Sequence, residues 1–98
     1  MSELTAQAAS MAASMAACAA LKYLRQQNVE VPNRPDLAAS LRTALGEQIT
    51  AALPGALEDA KEAVDCRMTD AALVTFSASM CIAGIEAAKQ VMTQYGLH

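Results

Sequence analysis

Ninety-eight residues with a formal net charge of −3 make one small acidic domain spanning residues 1–98, and this balance offers no general attraction to phosphates, which argues against a nucleic-acid partner. The chain has no Trp, one Phe, two Tyr, four Gly and three Pro. Its abundant Ala favours helix, because Ala loses no side-chain entropy there, and the core must be filled by Leu, Met, Ile, Val and Ala rather than by aromatic rings.

The first helix is expected over Glu3 to Gln27, with Ser2 as N-cap. Leu4, Ala8, Met11, Met15 and Cys18 follow a helical spacing that sets the larger side chains on one narrow stripe. Alanines cover most of the remaining surface. Lys22 and Arg25 fall in the last turns, where cations suit the helix dipole. The run Leu4 to Leu21 is uncharged and long enough to raise a membrane span. It is mostly Ala, is interrupted by Thr5, Gln7, Ser10 and Ser14, and lacks flanking aromatics, so the expectation is no membrane partner. A second uncharged run, Ala71 to Ile85, reads as too short to span.

Asn28 to Pro35 is a loop, since Pro32 and Pro35 forbid a continuing helix. Val29 and Val31 are expected to pack back on the bundle end. The second helix starts near Asp36 and carries Leu37, Leu41, Leu45, Ile49 and Leu53 at four-residue steps. Each step overshoots a full turn by about 40°, so this stripe spirals around the helix. Pro54-Gly55 then interrupts it, and Leu57, Ala60, Val64 and Met68 begin a new phase. A separate third helix, Gly55 to Cys66, is the expectation, with one long helix kinked at Pro54 as the alternative.

The fourth helix runs from Asp70 to Tyr95, with Thr69 as N-cap and Gly96 at the position of a left-handed C-terminal residue. Leu73, Val74, Phe76, Met80, Cys81, Ile82, Ile85, Val91, Met92 and Tyr95 occupy well over half of its wheel. Thr75, Ser79, Glu86, Gln90 and Thr93 form a narrow polar strip. A helix this apolar is buried on several sides. Ser77, Gly84 and Ala88 cluster inside the apolar arc and point to a close helix–helix approach. The fold class is thus all-α, a small bundle of about four helices, two long and two short, completed by dimerisation.

Chemical signatures are sparse. The single histidine, His98, is the last residue of the sequence, which leaves no positioned imidazole for a Ser–His or Cys–His system. Glu-x-x-His, C-x-x-C, phosphate-loop and calcium-loop motifs are missing as well. The chain therefore reads as no enzyme and needs no cofactor. Three Cys without regular spacing suggest reduced thiols and a cytoplasmic setting, and the acidic start Met1-Ser2-Glu3 does not resemble a secretory signal.

Two readings of function follow. The first is a self-associating interaction module, a homodimer or higher oligomer that buries its apolar face against another copy or a partner protein, built on Leu73, Phe76, Ser77, Met80, Gly84 and Ala88 of the fourth helix. The alternative is a soft-metal or small-ligand bundle in which Met11, Met15, Cys18, Met80 and Cys81 converge, since thioether and thiolate suit Cu(I). Met and Cys are also ordinary core fillers. Charge is segregated: Lys22, Arg25, Arg34 and Arg42 surround the proline loop, whereas Glu58, Asp59, Glu62, Asp65 and Asp70 form an acidic run, a divalent-cation site, a docking face for a basic partner or a solvated surface.

Overall fold

Three long helices and one 3-10 turn make up the described chain, with no strand among the described residues. The computed structural model describes the backbone of residues 3–65 and 69–97, and side chains over 8–60 and 72–97. The expected caps Ser2 and Thr69, the stripe residues Leu4, Val64 and Met68, the end of the expected third helix at Cys66, and the side chains of Glu62, Asp65 and Asp70 lie outside that description.

Helix α1 spans Glu3–Gln26. Its buried stripe is Ala8, Ala12, Ala16, Ala20 and Leu24, one residue every four. This differs from the expected stripe of large side chains. Met11 and Met15 are only half-buried and Cys18 is exposed. The reason is packing distance: the small Ala side chains let a neighbouring backbone approach, and the sulfur-bearing residues are displaced to the flanks.

The end of α1 is built by hydrogen bonds. Asn28 takes a left-handed φ of 62°, the Val29 amide donates to the Leu24 carbonyl at 2.9 Å, and the Asn28 amide donates to the Arg25 carbonyl at 3.0 Å. This is a Schellman cap, and Asn tolerates its left-handed position better than other residues with a Cβ. The chain then makes a 3-10 turn over Val31–Asn33. Val31 is buried in the core and Val29 packs against it, as their spacing in the loop predicts.

Helix α2 runs without interruption over Pro35–Asp65, with Pro54 inside it. The expected separate helices two and three are therefore one helix in the structure. Pro54 lacks an N–H and so leaves the Thr50 carbonyl without its helical partner, but both residues are exposed and water can serve that carbonyl. Beyond the proline, Ala56 is buried and Leu57 and Ala60 pack against the same core as Leu53 before it, which holds the helix on course. The spiralling stripe is visible: Leu37 and Leu41 are buried at the start, Ala44 takes over, and Ala56 carries the far end.

Helix α3 covers Thr69–Gln94. It closes on a second Schellman cap, in which Gly96 has φ 68° and the Leu97 amide donates to the Met92 carbonyl at 2.7 Å. Ala72, Phe76, Met80, Gly84, Ala88 and Met92 form its four-residue ridge, flanked by Ala83, Ala87 and Val91. Ridges of this spacing on all three helices suit ridge-into-groove packing.

The topology is up-down-up. The C-terminal halves of α1 and α3 meet the start of α2 in one core cluster, which contains Leu24, Val31, Leu37, Leu41, Val91 and Met92. The other halves meet the end of α2 in a second cluster around Ala8, Ala12, Ala56, Phe76 and Met80. Helix α3 is the central element and packs extensively on both others, while α1 and α2 touch each other much less. The assembly measures 44 × 25 × 18 Å.

Candidate functional site

Helices α1 and α3 approach each other closely at Gly84. A Cβ added at Gly84 would lie 2.8 Å from the Ala16 carbonyl carbon and 2.9 Å from its Cα, with the Ala16 oxygen closer still. All three atoms are backbone and cannot rotate away. Of the small-residue cluster Ser77, Gly84 and Ala88, Gly84 makes a close backbone contact within the chain, Ala88 is buried and Ser77 lies at the groove edge.

That use of Gly84 divides the residues expected to form a self-association surface. Phe76, Met80, Gly84 and Ala88 are buried by the chain's own α1 and α2, with Met80 and Ala88 fully inaccessible. Ser77 is half-buried, and Leu73 is 47% exposed. The wheel arc read from the sequence therefore selects mainly intrachain core. The apolar residues left outside are Val74 at 68% and Ile82 at 61% exposure, with Ala78 exposed between them. Sequence reasoning placed Val74 and Ile82 on the apolar wheel but not among the contact residues. The available signal was their spacing: Val74, Ala78 and Ile82 recur every four residues, well off the ridge of Phe76, Met80 and Gly84.

Beside this outer strip lies an open groove of about 690 Å³ between α1 and α3, lined by Met15, Cys18, Lys22 and Tyr23 on one wall and by Ser77, Cys81 and Ile85 on the other. Three of the five sulfur residues considered as soft-metal ligands reach this groove. The other two do not: Met80 is enclosed in the second core cluster, and Met11 packs on the edge of that cluster. Cys18 and Cys81 are free thiols. Among the described residues no group of three or more His, Cys, Asp and Glu side chains is placed to hold a metal ion.

The remaining polar features are structural in character. No polar or charged side chain is buried among the described residues. Tyr95 bridges α3 to the start of α2, with its hydroxyl donating to the Asp36 carbonyl at 3.0 Å and lying 2.8 Å from the Ser40 hydroxyl. Since the phenolic proton serves the carbonyl, Ser40 acts as donor to Tyr95. The Arg34 guanidinium lies 5.5 Å from the centre of the Tyr95 ring, within the range of a cation–π contact. Lys89 and Glu86 form an exposed ion pair at 3.7 Å on α3, which is worth little in water. The charge segregation is visible at the two ends, with Arg25 and Arg42 exposed near the loop and Glu58 and Asp59 exposed toward the far end of α2.

The segment Ala72–Gln94 of α3, 23 residues, is long and apolar enough to cross a membrane by length and composition. It is longer than the uncharged run suggests because Glu86 and Lys89 are the only charges it contains. In this fold it is the central helix, and a core helix passes the same test. Comparison with protein-family models, with curated proteins and with solved structures finds no match to this chain.

Proposed function

We propose that this protein is a self-associating interaction module whose contact surface is the outer strip of α3, Val74, Ala78 and Ile82, bordered by the α1–α3 groove. One observation carries this reading. The most apolar helix of the fold leaves Val74 and Ile82 more than half exposed, 68% and 61%, and eight residues apart on one face. Scattered single apolar residues on a surface are ordinary, but an aligned strip joined to an apolar groove is the pattern of a contact site. Packing another helix there would add a fourth element to the bundle and cover α3 on its remaining side.

The test is solution mass by light scattering over a range of protein concentrations, under reducing conditions. The wild-type chain is expected to be larger than a monomer at high concentration. Ile82→Lys places a charge at one end of the strip without touching the core, and it is expected to give a monomer with unchanged helicity. A variant that keeps the wild-type mass at every concentration would move the contact away from α3.

A further inference from the structure

We draw no further inference here: the strongest candidate, the open groove between α1 and α3 lined by Met15, Cys18, Lys22, Cys81 and Ile85, is a mainly apolar furrow between two helices, and nothing in the structure shows what covers it.

Discussion

Replacing Gly84 with Ala tests the central packing contact of the fold, because two opposing effects of known size meet at this position. In an unencumbered helix interior, Gly→Ala gains about 0.8–1.0 kcal/mol of helix propensity. At Gly84 the new methyl would stand 2.8 Å and 2.9 Å from the carbonyl carbon and Cα of Ala16, on a neighbouring helix. Ordinary carbon–carbon contact lies at about 3.5–4.0 Å, so α1 and α3 must separate by the better part of an ångström or more. That separation loosens the stripe of Ala12, Ala16 and Ala20, and overpacking of this kind costs about 1–3 kcal/mol. With backbone as the opposing group the overpacking exceeds the propensity gain, and the net expectation is a loss of about 1–2 kcal/mol. For a domain of this size such a loss lowers Tm by roughly 5–15 °C.

The control is Gly46→Ala in α2, where the added Cβ meets nothing within 4 Å. That variant is expected to raise Tm by a few degrees, about 0.5–1 kcal/mol. Both are measured by thermal unfolding followed by circular dichroism at one protein concentration, since the proposed self-association would make Tm concentration-dependent. If Gly84→Ala stabilises as Gly46→Ala does, the close approach of α1 and α3 is refuted.

Three further outcomes follow from the geometry. Tyr95→Phe removes the hydroxyl that ties α3 to the Asp36 carbonyl and Ser40, and is expected to cost about 0.5–1.5 kcal/mol in urea unfolding; no loss would mean the exposed carbonyl and hydroxyl are served equally well by water. Pro54→Ala restores an amide donor to the Thr50 carbonyl within an uninterrupted α2 and should stabilise by about 1–3 kcal/mol, whereas a lower Tm would show that the proline sets a bend the packing needs. Asn28→Gly keeps the left-handed cap of α1 and should leave stability within about 0.5 kcal/mol of wild type, while Asn28→Val, β-branched at a φ of 62°, should lose at least about 1 kcal/mol.

The all-α class was legible because it rests on composition and on the periodicity of apolar residues, both local properties. The same holds for the left-handed Gly96 and for Val29 and Val31 folding back on the bundle. The number of helices was less legible. Pro54 signals a break when its missing donor and its ring are weighed alone, and the outcome depends on whether the orphaned carbonyl faces water and whether residues beyond the proline still have a core to pack on. Thr50 is exposed and Ala56 is buried, so the helix continues. Neither fact is contained in the sequence near Pro54.

The exposed strip of α3 shows the same dependence on packing. A wheel of α3 is apolar over most of its circumference, and periodicity cannot say which part of that circumference is covered by α1 and α2. On α1 the larger residues Met11, Met15 and Cys18 drew attention as the packing stripe, but the alanines at every fourth position bury instead, because what limits this interface is how near two backbones come. Once Ala16 and Gly84 are in contact, the rotation of α3 is set. Phe76 and Met80 then turn inward, Ser77 and Cys81 reach the groove edge, and Val74, Ala78 and Ile82 face out. The exposed strip is therefore a consequence of the glycine contact, which links the stability experiment at Gly84 to the association experiments on the opposite side of the same helix: a variant that rotates α3 to relieve the Ala16 clash should change the solution mass as well as the Tm.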